Sequence, residues 1–253
     1  MCTVTWLSEP DSYVVFFNRD ELKTRSRSLP PTIKTQNGVR YIAPMDVDGG
    51  GTWLGVNESG VTCGLLNNYD VRSSSFRSQR QNREHVATNF ISRGLLVTFL
   101  LDSLSPSKAL AVLETIRLND FRPFLLTLFA PNQPVALCIW DGEKLQIQNE
   151  PIAPPISSSS YDTQNVVQNR LQQFALLRAA NQHLDSTLLE AYHASHSERG
   201  GAYSVCMHRN DAETVNFSLL RVMPDQVEFH YTPGAPCVTK ESMVVALSRS
   251  RTV

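Results

Sequence analysis

The sequence predicts an α+β fold, a four-layer αββα sandwich in which two antiparallel sheets pack face to face with helices outside. Strand-like runs come before, between and after two helical blocks, and there is no internal repeat. The run 14–17 is apolar at every position, as expected for a strand that is covered on both faces. The chain has 253 residues, 42% of them hydrophobic, so we expect one domain spanning residues 1–253 with a substantial core.

The first elements form a β-hairpin. Two β-rich runs flank a turn cluster around Pro10. Centring the turn on Pro10 pairs Leu7 with Tyr13 and places Cys2 opposite Asn18. A slip of one or two residues in this register leaves Cys2 close to the end of the second strand.

A second hairpin follows. Its predicted strands are residues 52–57 and 61–67, joined by a turn that contains glycine. Antiparallel pairing brings residues 49–51, which are three glycines, towards Asn67 and Asn68. Both hairpins therefore end in polar or glycine-rich segments, which suits a rigid sheet that presents functional groups at its rim.

The later helices and strands are predicted from the spacing of apolar residues. Helical spacing of apolar residues occurs in four segments: 84–104, 107–116, 164–180 and 186–194. Runs typical of strands occur in six segments: 124–129, 135–140, 144–148, 203–208, 215–222 and 226–231. Residues 151–160 are rich in proline and serine but too short for an interdomain linker.

Charge and targeting signals narrow the function. The formal net charge is −1, so no strong field recruits nucleic acid or anionic lipid. The first residues do not resemble a secretory signal, and no apolar run is long enough to cross a bilayer. We therefore expect a cytoplasmic protein that is not inserted in a membrane and whose partner is a small molecule.

The positions of the cysteines do not indicate a disulfide framework or a zinc site. The five cysteines are odd in number, widely spaced and form no CxxC pair: Cys2, Cys63, Cys138, Cys206 and Cys237. This pattern indicates neither a set of disulfides nor a zinc site, so we expect no metal.

Cys2 is the most informative of them. Removal of Met1, which is common before a small second residue, gives Cys2 both a thiol and a free α-amine. The amine has a reference pKa of roughly 7.7 to 8.0 and can accept the thiol proton near neutral pH. This is the chemistry of an N-terminal nucleophile. The alternative is that Cys2 simply begins a buried strand as a small apolar residue.

Groups near Cys2 complete a possible catalytic set. Arg19 would stabilise a thiolate, and Asp20 could hold the α-amine by a charge-assisted hydrogen bond. Asn67 or Asn68 could donate an amide hydrogen bond to a developing oxyanion. The alternative is that the charged segment is a solvated strand end and the two asparagines form a polar turn.

Two sequence blocks resemble a known family. Residues 18–21 read Asn-Arg-Asp-Glu, and residues 50–55 read GGTWLG, followed by Gly60 and by Leu-Asn-Asn at residues 66–68. Both blocks resemble the NRDE family, also called the transport and Golgi organisation protein 2 family. The resemblance is specific over roughly the first seventy residues.

The resemblance implies an N-terminal-nucleophile hydrolase-like αββα fold, similar to that of penicillin V acylase and bile salt hydrolase. It also implies amidohydrolase activity, with Cys2 as the first mature residue. Those acylases place an arginine and an aspartate after the second strand, and Arg19 and Asp20 look like their counterparts. In the acylases two residues separate this pair. Here the two are adjacent, so either Asp20 or Glu21 can occupy the carboxylate position.

The predicted active site includes further residues. We place Asn18 with the catalytic candidates because it belongs to the same motif. Three residues are expected to contact the substrate: Glu21, Gly51 and Trp53. The late-chain arginine of the acylases has two candidates, Arg199 and Arg209. The amidohydrolase reaction requires no metal or organic cofactor.

The resemblance also implies a rival function. Eukaryotic relatives are linked to haem mobilisation and to lipid or acyl-CoA homeostasis, which would make the protein a carrier or chaperone. The sequence has no CxxCH motif. His193 with His196 is a spacing more typical of an exposed helix end than of a metal site. Residues 206–208 contain three possible haem ligands, Cys206, Met207 and His208, but in a strand Cys206 and His208 share one face, which favours local packing or pairing. We therefore rank haem binding below hydrolase chemistry.

Overall fold

Two antiparallel β-sheets form the centre of the computed structural model, which describes residues 2–70, 90–148, 150–196 and 200–250. The first sheet has six strands in the spatial order β10 (Ile156–Ser158), β1 (Cys2–Glu9), β2 (Ser12–Leu22), β11 (Ala212–Val222), β12 (Gln226–Thr232) and β13 (Met243–Ser248). The second has seven strands in sequential order: β3 (Leu29–Gln36), β4 (Val39–Met45), β5 (Leu54–Asn57), β6 (Thr62–Asn67), β7 (Phe124–Phe129), β8 (Ala136–Trp140) and β9 (Leu145–Gln148).

Helices cover the outer face of each sheet. The described helices are α1 (Gly94–Leu100), α2 (Pro106–Thr115), α3 (Thr163–Ala180) and α4 (Ser186–Ala194), with a 3-10 turn at Leu118–Asp120. Buried side chains of α1 and α2 pack on the seven-stranded sheet, and those of α3 and α4 pack on the six-stranded sheet. The predicted four-layer α+β sandwich is therefore confirmed. Within the described residues, no helix combines the length and apolar character needed to span a bilayer.

The largest core lies between the sheets. Val4, Val15 and Phe17 of the first sheet are fully buried there with Leu54 and Val56 of the second. Because alternate residues of a strand point to opposite faces, the other residues of β1 and β2 face α3 and α4. Both faces of this hairpin are thus buried, as the apolar run in β2 predicted.

Some elements differ from the prediction. Four strands were not predicted: β3, β4, β10 and β13. β3 lies at a sheet edge, is mostly exposed and carries Pro30 and Pro31, so its sequence does not show the pattern of a central strand. Residues 203–208 were predicted as a strand but form bends and turns. Of the helix predicted at 84–104, residues 84–89 lie outside the described residues, and α1 covers Gly94–Leu100.

The register of the first hairpin is one residue away from the prediction. Cys2 pairs with Arg19, and Thr3 pairs with Asn18. The turn is centred between Pro10 and Asp11, not on Pro10, and Asp11 adopts a positive φ of 56°. A shift of one residue exchanges the two faces of a strand. Cys2 and Arg19 therefore share one face, and Asn18 lies on the other.

Candidate active site

Cys2 opens onto a cavity of about 550 Å³ between the two sheets. The cavity lies where β1 and β2 of one sheet meet the segments before β5 and after β6 of the other. Its walls carry four arginines, Arg19, Arg25, Arg93 and Arg122, and the carboxylates of Glu21 and Asp46. Asp20 also borders the cavity, but its carboxylate is buried on the other side of the strand. The site is therefore strongly polar, although it adjoins the largest apolar core.

Burial dominates the electrostatics of the Cys2 thiol in the chain that carries Met1. Its residue is 8% exposed, and burial raises the pKa of the thiol above its ordinary value. The terminal amine of Met1, a backbone hydrogen bond from Asp20 and the charge of Arg19 lower the pKa, but burial outweighs them. A thiolate stabilised by Arg19 stays a prediction for the chain that begins at Cys2.

The side chain of Arg19 is held in place by an aromatic ring and two carboxylates. Its guanidinium carbon lies 4.3 Å from the centre of the Trp53 ring. Its Nη2 lies 3.5 Å from Asp46 Oδ1 and 3.7 Å from Glu21 Oε2. Arg25 forms a two-point pair with the same Asp46, through Nε to Oδ1 at 3.2 Å and Nη2 to Oδ2 at 2.6 Å. These contacts hold a planar cation against the cavity wall beside Cys2.

Asp20 is anchored from the helical layer. Its Oδ2 accepts from Arg170 Nη2 at 3.3 Å, and its Oδ1 accepts from Thr214 Oγ1 at 2.7 Å. Arg170 is 0% exposed and also donates to Thr3 Oγ1 at 2.6 Å and to the Ala202 carbonyl at 3.2 Å. Burial raises the pKa of Asp20, and Arg170 acts in the opposite direction.

Arg170 was not among the predicted site residues. It lies on the buried stripe of α3 between Val166 and Phe174, at spacings of four residues. A single arginine on the apolar stripe of an amphipathic helix is the signal that would have identified it, because a buried arginine requires an acidic partner.

The two asparagines after β6 have different surroundings. Asn67 lines the Cys2 cavity, and its side-chain amide donates to Tyr69 Oη at 2.8 Å. Asn68 donates to the Trp140 carbonyl at 3.2 Å and accepts from the Asp70 backbone at 3.1 Å. Asn68 lines a different cavity. Of the two alternatives, the structure brings only Asn67 to the cavity of Cys2.

Asn18 and Gly51 do not reach the cavity. Asn18 points to the helical layer, where its amide donates to the carbonyls of His193 at 2.8 Å and Val205 at 3.0 Å. In the observed register Asn18 pairs with Thr3, so it lies on the face opposite Cys2. A Cβ at Gly51 would lie 2.2 Å from the Gly94 carbonyl carbon, so Gly51 serves the close packing of α1. Glu21 and Trp53, the other predicted contact residues, do line the cavity.

The late-chain arginine candidates are not at the site. Arg209 pairs with Asp211 at 2.9 Å and lies over the ring of Tyr161. Arg199 lies outside the described residues. Arg170 is instead the arginine from the second half of the chain that reaches the site residues.

His193 belongs to the same buried layer as Asn18. Its Nε2 lies 2.8 Å from Thr5 Oγ1, and its ring stacks on Phe16. Burial, with a smaller contribution from Arg170, lowers the pKa of His193 to about 3. The interpretation of this histidine as part of an exposed helix end is therefore wrong, because its side chain faces the sheet.

The fold is similar to those of several solved acylases, hydrolases and amidases. The Caenorhabditis elegans ortholog of N-acylethanolamine-hydrolyzing acid amidase is similar, with a TM-score of 0.59, 9% identity and coverage of 97% of this chain and 100% of that one. Penicillin V acylase from Agrobacterium tumefaciens has a TM-score of 0.54 and 13% identity over 97% and 86% of the two chains. A mutant of conjugated bile acid hydrolase from Clostridium perfringens has a TM-score of 0.54 and 14% identity over 100% and 97%. At these identities the likeness defines the fold alone.

Sequence similarity defines the family. Residues 1–224 match the family described as Transport and Golgi organisation 2, and the chain belongs to it. The resemblance found in residues 18–21 and 50–68 is thereby confirmed. A search of curated proteins found no match.

Proposed function

We propose that the protein is an amidohydrolase whose nucleophile is the thiol of Cys2 after removal of Met1. The observation that carries this proposal is the pairing of Cys2 with Arg19 on one face of the hairpin, where both open onto the cavity that Asn67 also lines. The fold is consistent with it, because the similar structures are named as acylases, hydrolases or amidases that act on amides. A fold alone does not define a reaction, so the proposal depends on the site.

The reaction follows from these positions. The free α-amine of Cys2 takes the thiol proton as sulfur attacks the amide carbonyl carbon, giving a tetrahedral oxyanion. The protonated amine then gives this proton to the leaving nitrogen, and the C–N bond breaks to leave a thioester. Water attacks the thioester with the amine again as base, which releases the acid and restores the thiol.

Neighbouring side chains orient the α-amine of Cys2 and stabilise the oxyanion. Asp20 is the carboxylate that acts electrostatically on the Cys2 thiol, whereas Glu21 pairs with Arg19 and Arg25. We therefore assign the orientation of the α-amine to Asp20, held in turn by Arg170. Asn67 is the donor for the oxyanion, since its amide nitrogen lies in the cavity wall and can exchange Tyr69 for substrate.

The charge of the cavity favours a substrate with an anionic group near its amide. Arg19 and Arg25 are paired with carboxylates. Arg93 and Arg122 line the same cavity, and within the described residues neither forms an ion pair with a carboxylate. Arg93 donates to the Pro123 carbonyl at 2.8 Å, and burial lowers its pKa. A carboxylate or phosphate on the substrate would offset that cost.

The buried indole of Trp53 adds a further donor. It lines the cavity, and its Nε1 has no hydrogen-bond partner among the described residues. An unpaired buried donor is costly, so a substrate acceptor that reaches it would gain binding free energy.

Intact mass of the protein purified from its native source tests the proposal first. We expect loss of Met1, and retention of Met1 would overturn the proposed mechanism because the base would be absent. A panel of matched amides, with and without a carboxylate beside the scissile bond, then measures hydrolysis by wild type and Cys2→Ala. Hydrolysis that survives in Cys2→Ala would also overturn it. Equal rates on both members of each pair would reject only the anionic substrate class.

The carrier function implied by the family stays a prediction, as does the absence of a cofactor. The described walls of the Cys2 cavity carry many charges, which favours a polar ligand over the flat apolar face of haem. Titration with haem, monitored by its absorption, is the direct measurement of that alternative.

A further inference from the structure

A second cluster of reactive side chains lies outside the Cys2 cavity. Cys206 Sγ lies 3.4 Å from Cys237 Sγ and 3.6 Å from His208 Nε2. His208 Nε2 lies 3.0 Å from Cys237 Sγ. His196 joins them, since it, His208 and Cys237 each offer a ligand atom within 4.8 Å of the others. Cys206, His208 and Cys237 therefore converge on one point, and His196 lies beside His208 and Cys237.

These separations match those around a tetrahedral metal ion. Bonds of about 2.3 Å from zinc to sulfur and about 2.0–2.1 Å from zinc to nitrogen place tetrahedral ligand atoms about 3.3–3.8 Å apart. The separations of Cys206 Sγ from Cys237 Sγ and from His208 Nε2, 3.4 and 3.6 Å, lie in this range, whereas the 3.0 Å between His208 Nε2 and Cys237 Sγ is shorter. His196 is exposed and follows the end of α4, and its ligand atom lies within 4.8 Å of those of His208 and Cys237.

The backbone around the cluster is tightly built. The Cys206 backbone N–H donates to the Ser195 carbonyl at 2.8 Å, which ties the cluster to the end of α4. The Ala235 carbonyl accepts from Val238 at 3.1 Å and from Thr239 at 2.9 Å, which closes a turn around Cys237. Gly200 has a φ of 58°, and a Cβ there would lie 2.9 Å from the Cβ of His208.

We propose that Cys206, His208, Cys237 and His196 form a binding site for a zinc-class divalent cation. Two thiolates and two imidazoles are a ligand set that zinc prefers. On binding, the two thiols release their protons to solvent and the sulfurs bond to the ion. The ligands come from the segment before β11 and the loop after β12, and the two cysteines are 31 positions apart. This spacing is why the sequence showed no zinc motif.

The site also bears on Asp20. Met207, between two of the ligands, donates its backbone N–H to Thr214 Oγ1 at 2.8 Å and accepts from the Thr214 N–H at 2.9 Å. The same Thr214 hydroxyl donates to Asp20. A bound cation would therefore hold the segment that positions Thr214 against Asp20, although the metal site itself does not depend on the proposed hydrolase activity.

Metal binding by the full-length, reduced protein tests the proposal. Zn²⁺ titration against a chromophoric chelator should give one equivalent per chain, and Co²⁺ should give the charge-transfer and visible bands of a tetrahedral thiolate site. Cys237→Ser and, separately, His196→Ala should each weaken Zn²⁺ binding by at least about tenfold. Cys2→Ser and His183→Ala are the matched controls, because neither residue lies in the cluster, and both should bind as wild type does.

Three results would overturn the proposal. The first is no stoichiometric Zn²⁺ binding by the reduced protein. The second is binding that Cys237→Ser and His196→Ala leave unchanged, with both variants folded by circular dichroism. The third is a Cys206 to Cys237 disulfide in protein isolated with its thiols trapped, which would show that the two sulfurs bond to each other instead of to an ion.

Discussion

The two faces of the first hairpin both carry polar groups, but the groups are held differently. On the face towards the second sheet, Cys2 and Arg19 end at a cavity. On the face towards the helices, Thr5, Asn18 and Asp20 are fully enclosed. Each polar side chain of the enclosed face bonds to a helix or loop packed on it.

The two faces of this one hairpin differ in whether their polar groups have protein partners or face an open cavity. Arg170 and His193 supply the enclosed face with partners, so its polar groups contribute to the stability of the fold and hold Asp20. The open face keeps a thiol beside space for a substrate. We therefore expect changes on the open face to alter reactivity and changes on the enclosed face to alter stability.

Cys2→Ala should have the largest effect on activity. If the open face is catalytic, kcat/KM for the amide found with the panel falls by at least about a thousandfold, because the nucleophile is removed. The free energy of unfolding in urea should change by only about 1 kcal/mol. Cys63→Ala is the matched control: this thiol is buried between the second sheet and its helices, and its loss should leave kcat/KM within about twofold of wild type.

Arg170→Met should have the largest effect on stability. It leaves the Asp20 carboxylate buried without its charged partner, and we expect a loss of about 3–5 kcal/mol in the free energy of unfolding. Urea denaturation measures this. The double variant Asp20→Asn with Arg170→Met should recover much of the loss, because no buried charge remains. A loss below about 1 kcal/mol in the single variant would contradict the assignment of Arg170 to the enclosed face.

The enclosed face should also make stability depend on pH. His193 has a pKa of about 3 in the folded protein against 6.5 for the ordinary side chain. Below pH 6.5 the unfolded chain binds a proton that the folded protein excludes, so this contribution is complete above pH 6.5 and is lost as the pH falls towards 3. From pH 7 to pH 5 the loss is about 2 kcal/mol.

Urea denaturation at pH 7 and pH 5 measures the effect. His193→Gln should lose this part of the pH dependence, whereas His183→Gln, at an exposed position, should keep it. An identical pH dependence in wild type and His193→Gln would show that folding does not lower the pKa of His193.

Arg25→Ala should have the smallest effect on stability. Like Arg170, Arg25 pairs with an aspartate, and its geometry with Asp46 is good, but its side chain is 31% exposed. We expect a loss of no more than about 1 kcal/mol, reduced further by salt. A loss as large as that of Arg170→Met would mean that burial does not distinguish the two arginines.

Much of the fold and the location of the cavity could be predicted from the sequence. Apolar runs and turn residues defined both hairpins, and residues 18–21 with 50–55 led to the cavity and to the family. These signals are local, since strand pattern and turn chemistry depend on neighbours along the chain. β3 and the loop at 203–208 were missed because exposed edges and bends leave no regular pattern.

The rest depends on contacts between distant segments. The register of the hairpin depends on where the turn is centred, and a difference of one residue moved Asn18 away from the site. Arg170 meets Asp20 across 150 positions of sequence. Cys206 and Cys237 meet only because two connecting segments fold together. No pattern within a short window contains these pairings.

The turn at Pro10 and Asp11 determines which residue of β2 lies beside Cys2. It lies at the far tip of the hairpin, about 25 Å from Cys2 along a strand of eight residues. Lengthening that tip by one amino acid while the second strand stays in place would invert the first strand, turning the sulfur towards the helices and Thr3 towards the open cleft. A remote insertion would thus replace the side chain beside Arg19 without altering any residue of the cavity, so an added amino acid at this tip is as consequential as a substitution of Cys2.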